Sequence, residues 1–221
     1  MLPAGCELDL LEGKPAVSLV AFDFLDTRVK GVRWPGYVSF PEINLRYYVR
    51  QSVGGGRAND RRGVSFVREL VPKRAIAWSA RLLYNEPYIA CRMRSRIGDG
   101  TVTEGGLEVA VRTMRHEFCV GGKDHVIEAV ADAATSRPAD DSPEHWFKEH
   151  QWGFGRDRRG RALVYEVRHE HWDVHAVRSV GLDVDFGAAY GREWAFLKDA
   201  QPMSRVWAVG SKVAVYPHGR V

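Results

Sequence analysis

Acidic, amide and cationic side chains alternate along one stretch of the chain, "EINLRYYV". Glu42, Asn44 and Arg46 are spaced two residues apart, with apolar residues between them. In an extended strand this spacing places alternate residues on opposite faces, so we expect one polar face and one core face. An arginine binds a carboxylate with two parallel hydrogen bonds, and a glutamate accepts a proton. The polar face is either a plain solvent face or the lining of a cavity for a small carboxylate or carbonyl compound.

A second group of reactive side chains lies at the corner of "SARLLYNEPYIACRM". Apolar residues at helical spacing predict a helix, which Pro87 cannot continue and which should stop near Asn85. Glu86 and Tyr88 then sit beside a proline on backbone with little freedom, which suits a ligand site. The alternative is a plain cap and turn, with Asn85 as the helix C-cap and Tyr88 packed beneath it.

A third candidate is the histidine run "RHEHWDVH". His169, His171 and His175 alternate along a predicted strand together with Asp173, and such a pattern can chelate a metal. Apolar residues upstream share the same parity, which favours a polar strand end or an exposed edge. A metal-dependent enzyme built on His169, His171 and His175 is therefore kept only as a second alternative, and we expect no metal.

Composition excludes several classes of protein. The chain has 221 residues and a net charge of +4, with arginines scattered among acids rather than clustered. This is weak evidence for nucleic acid, so no nucleic-acid partner is expected. No window approaches a membrane span, and the start of the chain does not read as a leader, so we expect a cytoplasmic protein without a membrane partner. The glycines and the cysteines Cys6, Cys91 and Cys119 form no cofactor, zinc or redox motif, so we expect no cofactor and free thiols.

The elements that must position these residues are mostly strands. Strands are predicted over "PAVSLVAFDFL", "EINLRYYV", "GVSFVRELV", "YIACRMRSRI", "LEVAVRTMRHEFCV", "DHVIEAVADA" and "WDVHAVRSVGLDVDF", and hairpins over "WGFGRDRRGRALVYEVR" and "RVWAVGSKVAVYP". Short helices are predicted over 74–84, in "SPEHWFKEH" and in "AAYGREWAFLKDA", and "VKGVRWPGYVSFP" is predicted as a loop. No composition break marks a linker. We therefore expect one mostly β domain over 1–221, with its sheet curled into a barrel or cone.

Several stretches together carry a family resemblance. They are "LPAGCELDLLEGKPAVSLVAFDF", "FPEINLRYYV", "RGVSFVRELVPKRAIAWSARLLYNEPY" and "KEHQWGFGRDRRGRALVYEVRH". They resemble the YqjF-like bacterial proteins of unknown function, which are grouped with the acetoacetate decarboxylase-like superfamily. The likeness spans nearly the full length. It implies a cone-shaped, largely antiparallel β-barrel with an interior pocket, and assembly into homo-oligomers.

The distant likeness to acetoacetate decarboxylases also tests a mechanism. Those enzymes carry G-R-E-x-x-x-x-P-K-K, whose first lysine forms a Schiff base with the substrate ketone. In the matching run here, Arg81 and Pro87 align, but Tyr88 stands where that lysine would be, and a phenol cannot form an imine. Glu42 lies in a place comparable with the pocket glutamate of those enzymes. Lys73 and Lys123 remain as imine formers, but each is more simply a surface lysine.

These observations predict a polar interior pocket that binds a small carboxylate or carbonyl compound. Glu42, Glu86 and Tyr88 would be its catalytic residues, and Asn44, Arg46 and Arg81 would bind the substrate. One glutamate would act as general base, Arg46 would hold a carboxylate and Tyr88 would donate to a developing enolate. The enzyme would be a lyase or isomerase acting on keto or enoyl acids without a Schiff base. The alternative is a non-catalytic protein that binds a small ligand at the same residues.

Overall fold

The structure is a computed structural model that describes residues 2–28, 38–83, 85–148, 150–156 and 161–220; the side chains of 58, 79–83 and 217–220 lie outside this description. The chain divides into two compact units, each assembled from separate segments. The first unit contains 1–90, 146–170 and 212–221, and the second contains 91–145 and 171–211. The single domain predicted over 1–221 stays a prediction.

Strands make up most of both units. In chain order they are β1 (Cys6–Leu8), β2 (Leu10–Leu11), β3 (Lys14–Pro15), β4 (Val17–Phe24), β5 (Phe40–Gln51), β6 (Arg61–Val71), β7 (Tyr88–Ala90), β8 (Arg92–Glu104), β9 (Leu107–Val120), β10 (Lys123–Ser136), β11 (Trp152–Arg156), β12 (Ala162–His169), β13 (Val174–Asp183), β14 (Trp207–Ala208) and β15 (Val213–Arg220). The helices are α1 (Arg74–Leu83), α2 (Pro143–Lys148) and α3 (Phe186–Tyr190), with 3₁₀ turns at Arg57–Asn59 and Arg192–Asp199. The predicted fold class, mostly β with a few short helices, is confirmed.

The first unit is built on an eight-stranded sheet in the order β1-β5-β6-β11-β12-β15, with β4 paired to β5 and β7 to β6. Its pairings are antiparallel except β6 with β7 and β6 with β11, which are parallel. Strand β5 is central, because β6 covers one edge while β4 and β1 share the other. Both of its faces are buried: Ile43, Leu45 and Val49 on one side, and Glu42 and Asn44 on the other. The solvent-face interpretation therefore fails at Glu42 and Asn44.

The second unit contains a five-stranded antiparallel sheet in the order β14-β13-β10-β9-β8. The predicted turn between β9 and β10 is present, with Gly121 and Gly122 in the left-handed region of backbone space at φ 62° and 76°. The predicted start of α2 is also confirmed, because the Ser142 hydroxyl accepts a hydrogen bond from the backbone N–H of His145 at 3.1 Å.

Two predicted elements differ from the structure. "YIACRMRSRI" is not one strand: it breaks at Cys91, so that β7 pairs in the first unit and β8 in the second. The closing hairpin at Gly210 and Ser211 is wrong as well. Strand β14 pairs with β13, and β15 pairs with β12, because each half finds a longer-range partner on another strand. The loop predicted in "VKGVRWPGYVSFP" and the turn at 157–160 fall largely or wholly outside the described residues.

Two further observations complete the fold. Cys6, Cys91 and Cys119 are free thiols, as predicted, and each is half-buried. Within the described part of the chain, no helix combines the length and the apolar character needed to cross a membrane.

Candidate functional site

Three glutamates are buried together in the first unit. Glu42 is 2% exposed, Glu69 is 3% exposed and Glu86 is 7% exposed. They come from β5, from β6 and from the corner between α1 and β7. Tyr88 and Tyr165 interact with them, and we call these five residues the acid cluster. Buried carboxylates are rare unless they are paired, so their concentration at one place identifies this region as the candidate site.

Strand register brings the cluster together. Asn44 on β5 lies opposite Glu69 on β6, and Glu69 lies opposite Tyr88 on β7. The backbone N–H of Glu69 also donates to the carbonyl of Pro87 at 3.2 Å, which ties the proline corner to the sheet. Residues opposite each other on neighbouring strands have adjacent side chains, so the ladder itself aligns these polar groups.

The corner after α1 fixes Glu86 and Tyr88. Asn85 has φ 51°, a left-handed conformation that asparagine tolerates better than most residues. Its side-chain amide donates to the carbonyl of Arg156, and the N–H of Tyr88 donates to the carbonyl of Glu86 at 2.8 Å. The predicted corner at Asn85 is present, and its tight backbone turns the carboxyl of Glu86 into the protein.

Glu42 accepts hydrogen bonds from several neighbours. The Asn44 amide donates to its Oε1 and the Tyr88 hydroxyl to its Oε2, each at 3.0 Å. The carboxyl of Glu69 is hydrogen-bonded to it as well. Since two carboxyl groups share a hydrogen bond only when one is protonated, Glu69 is the donor and Glu42 the acceptor.

Glu86 has a different environment. It accepts a hydrogen bond from Tyr165, but its Oε1 is buried without a hydrogen-bond partner. Gly155 on β11 faces this oxygen, and a Cβ atom at Gly155 would lie 3.0 Å from it. Gly153, two residues earlier, leaves room for the ring of Tyr165, which a Cβ atom would approach to 2.0 Å. The absent side chains of these two glycines provide the space that Glu86 and Tyr165 occupy.

Burial dominates the electrostatics of the cluster. It raises the pKa of Glu42 to about 7, against the lowering effect of the hydrogen bonds from Asn44 and Tyr88, and it raises the pKa of Glu86 to about 7. Burial, together with the neighbouring carboxylates, raises the pKa of Glu69 well above its ordinary value. The hydroxyl pKa values of Tyr88 and Tyr165 are also raised, first by burial. At neutral pH the cluster therefore holds protonated and ionised carboxyls side by side.

The predicted substrate-binding residues lie at different distances from this cluster. Asn44 contacts Glu42 directly. Arg46 is partly buried; its Nη2 donates to the carbonyl of Phe147 at 3.5 Å, and its positive charge acts to lower the pKa of Glu42, which burial raises. Arg81 is on α1, but its side chain lies outside the described residues. The roles assigned to these residues stay predictions.

Sequence analysis missed Glu69 and Tyr165, and also Lys148, which is 7% exposed at the end of α2. Glu69 follows Arg68 in β6. Two consecutive charged residues are typical of a solvent-exposed position, so the sequence gives no sign that Glu69 is buried. Tyr165 reaches the cluster only through the pairing of β12 with β11. The alternating glycines of "WGFGR" were the available signal, since two glycines on one face of a strand mark a close approach by other groups.

The histidine run does not form a strand. His169 ends β12 in the first unit, whereas His175 is in β13 of the second. His169 donates to the carbonyl of Glu170 at 2.7 Å, His175 donates to the carbonyl of Asp132 at 2.8 Å, and His171 stacks on another histidine. Among the described residues, no three His, Cys, Asp or Glu side chains are grouped to hold a metal ion. The predicted single-strand histidine face is wrong because the chain leaves the sheet after His169.

Comparison with known proteins gives a family and one structural likeness. Residues 1–212 match the DUF2071 family, which is described as an uncharacterized conserved protein. No curated protein matches the sequence. A solved structure of acetoacetate decarboxylase from Legionella pneumophila is similar at 15% identity and a TM-score of 0.47, with 82% of this chain covered. The match spans 64% of the length of that decarboxylase chain, which is less than two thirds.

Proposed function

Since the chain belongs to the DUF2071 family, whose description names no reaction, we propose a function from the acid cluster itself: proton transfer at the carbon next to a carbonyl group in a small carboxylate-bearing compound. The observation that carries the proposal is the unpartnered, buried Oε1 of Glu86, in a cluster where burial and neighbouring carboxylates raise the pKa of Glu69 well above its ordinary value. A carboxylate with a pKa near 7 is an efficient general base at neutral pH.

The three glutamates have different roles in this proposal. Glu86 removes a proton from the substrate carbon through Oε1, and the electron pair of that C–H bond moves to the carbonyl oxygen. Glu69 turns its O–H from Glu42 to this oxygen and donates a hydrogen bond to it as the negative charge develops, while Glu42 keeps the hydrogen bonds from Asn44 and Tyr88. Tyr88 and Asn44 hold Glu42 in place. The proton returns from Glu86 to the same carbon, which gives exchange, or, in an enoyl acid, to the far carbon of the double bond conjugated with the enolate, which gives isomerisation.

The proposed pocket also contains a cation that can bind a carboxylate group of the ligand. Arg46 supplies a guanidinium on the same strand as Glu42, and its Nε is buried without a hydrogen-bond partner. Arg81 is proposed as a second cation from α1. A guanidinium suits a carboxylate better than an ammonium does, because its donors match the two oxygens. A small keto acid is therefore the proposed substrate class, with no imine step; an assembly into homo-oligomers is proposed only from the family resemblance.

The proposal is tested by solvent deuterium exchange. Purified protein is incubated with 2-oxobutyrate in D₂O, and loss of the C3 proton signal is followed by NMR. We expect exchange above the buffer rate, reduced about 100-fold or more in Glu86→Gln, because removal of a general base costs that much. Glu42→Gln should also reduce it, because it removes the carboxylate that holds the proton of Glu69 in place. Glu7→Gln is the matched control, since Glu7 is an exposed glutamate of the same unit paired with Arg50.

The outcomes separate catalysis from binding. Exchange that persists in Glu86→Gln contradicts the role of this base. A thermal shift on adding 2-oxobutyrate, without exchange in the wild-type protein, favours the alternative of a non-catalytic binding protein. That alternative is supported by the hydrogen bonds that Glu42 makes with Asn44, Tyr88 and Glu69, because a carboxyl group held by three partners suits a rigid recognition site.

A further inference from the structure

A second pair of buried ionisable groups lies in the first unit, outside the acid cluster. Asp9 is 5% exposed and His150 is 8% exposed. His150 follows α2, and Asp9 is joined to β5 by a hydrogen bond from its N–H to the carbonyl of Tyr48 at 3.0 Å. The Nε2 atom of His150 lies 3.1 Å from Oδ2 of Asp9, and Nε of Arg62 donates to the same oxygen at 2.6 Å.

These contacts determine the tautomer of His150. Burial opposes ionisation of Asp9, but the hydrogen bonds from His150 and Arg62 outweigh it and lower the pKa of Asp9 below its ordinary value. Burial also lowers the pKa of His150, against the raising effect of Asp9, so the ring is neutral at pH 7. Its single N–H must then point from Nε2 to the carboxylate, which leaves Nδ1 as an acceptor. This Nδ1 atom is buried without a hydrogen-bond partner.

Arg46 offers the complementary group nearby. The ring of Tyr48 has its centroid 4.6 Å from that of His150, and the guanidinium carbon of Arg46 lies 5.8 Å from the same centroid. Arg46 and His150 therefore both flank one tyrosine. The buried Nε–H of Arg46 is an unpartnered donor, and Nδ1 of His150 is an unpartnered acceptor. Native proteins pair buried polar atoms, so two such atoms of opposite character indicate a ligand group that both donates and accepts.

We propose that the ligand of the acid cluster carries a hydroxyl group in addition to its carbonyl, and that this hydroxyl donates a hydrogen bond to Nδ1 of His150. The oxygen of the same hydroxyl accepts a hydrogen bond from Nε of Arg46. The inference rests on the proposed function and specifies its substrate class as a hydroxylated keto acid. Asp9 is a positioning residue, since it acts on the ligand only by holding the histidine tautomer.

The test uses histidine side-chain ¹⁵N NMR on the full chain, with the His150 signals assigned by their absence from His150→Gln. The two probes are 4-hydroxy-2-oxobutyrate and 2-oxobutyrate, which differ only in the hydroxyl group. We expect the Nδ1 resonance of His150 to shift with the hydroxylated compound and not with the other. We also expect the hydroxylated compound to bind about tenfold more tightly, which corresponds to one net hydrogen bond.

Two variants separate recognition from structure. His150→Phe should reduce the tenfold preference to about one, whereas His150→Asn, whose amide oxygen can replace Nδ1 as acceptor, should retain part of it. An Nδ1 resonance that does not move with the hydroxylated compound overturns the inference, and exchange of 2-oxobutyrate would then leave the proposed proton transfer standing. A shifted Nδ1 resonance without any deuterium exchange supports the inference about the hydroxyl group. In that case only the proposed proton transfer is contradicted.

Discussion

Glu42, Glu69 and Glu86 have the same side chain in three different environments. Glu42 is surrounded by donors, and Glu69 faces two other carboxyls. Glu86 accepts from Tyr165, and one oxygen each of Glu69 and Glu86 is buried without a hydrogen-bond partner. Like charges this close cannot all ionise in a buried site, so the cluster divides its protons unequally. The division supplies a base and an acid from one residue type.

The presence of Tyr88 in the acid cluster leads to a prediction about imine formation, which chemical trapping can test. The Tyr88 side chain is a phenol, which cannot form an imine, and its hydroxyl donates a hydrogen bond to Glu42. Borohydride reduction in the presence of acetoacetate is therefore expected to attach no substrate to the protein, measured by intact-mass and peptide mass spectrometry. A label on Lys148, which is buried in the same unit, or on Lys73 or Lys123 would contradict the absence of an imine step.

Sequence analysis predicted Glu42, Glu86 and Tyr88 because each has a local signal: strand alternation for the first, and a proline corner for the others. Glu69 has no such signal, since its burial depends on two neighbouring strands. His150 lies two residues after the end of α2, and its partner Asp9 is 141 residues away in the chain. Local periodicity reports which face of an element a residue occupies, but it does not report what lies opposite that face.

At the scale of elements, β11 shapes the site because two of its residues are glycines, whose missing side chains leave room for members of the acid cluster. Gly153 and Gly155 share one face of a five-residue strand that pairs with both β6 and β12. Tyr165 fills the space over the first glycine, and Glu86 lies over the second. A side chain at either position would compete directly with a member of the acid cluster.

The two glycines are predicted to respond differently to alanine. In Gly153→Ala the new Cβ atom would overlap the ring of Tyr165, so the free energy of unfolding should fall by about 3 kcal/mol, the upper range for overpacking. In Gly155→Ala the new Cβ atom meets only the movable carboxyl of Glu86 at 3.0 Å. Urea denaturation should show a loss of about 1 kcal/mol or less for this variant. Its deuterium exchange should nevertheless fall, because Oε1 of Glu86 is displaced.

Equal stability losses in the two variants, or full exchange activity in Gly155→Ala, would contradict this account of β11.

The pairing of β11 with β12 was predicted from the sequence and is present, whereas the predicted pairing of β14 with β15 is wrong. The difference is physical. A hairpin needs two strands that prefer each other, and β15 gains a longer ladder with β12 than the two residues of β14 can offer.

At the scale of the whole molecule, the buried acids tie folding stability to pH. The pKa of Glu86 rises from an ordinary 4.5 to about 7 on folding. Between these values the folded state holds a proton that the unfolded state has released. Its contribution to stability is therefore complete below about pH 4.5 and is lost as pH rises towards 7. One such group accounts for roughly 3 kcal/mol, since one pKa unit corresponds to about 1.4 kcal/mol.

Glu86→Gln should remove this dependence. Glutamine resembles the protonated acid, so the variant should unfold with nearly the wild-type free energy at pH 5 and should be more stable than wild type at pH 8, by up to roughly 3 kcal/mol. Urea titrations followed by tryptophan fluorescence measure both values. His150 titrates in the same range with the opposite sign, but it is common to both proteins and cancels in the difference. Parallel pH profiles for the two proteins would contradict the raised pKa of Glu86.

The separate segments of the first unit affect how the protein is made. The nascent chain presents Glu42, Glu69 and Glu86 well before Tyr165, which follows Glu69 by roughly a hundred residues, or about 5 to 20 seconds at ordinary rates of synthesis. During that interval β6 also lacks β11, its partner on one edge. Until β11 and β12 are made, Glu86 lacks both its donor Tyr165 and the glycine strand that covers its Oε1, so we expect it to stay hydrated and ionised on the ribosome. Proton uptake by this site is then a late event of biosynthesis, completed only when the hairpin of β11 and β12 closes over carboxyls that were made first.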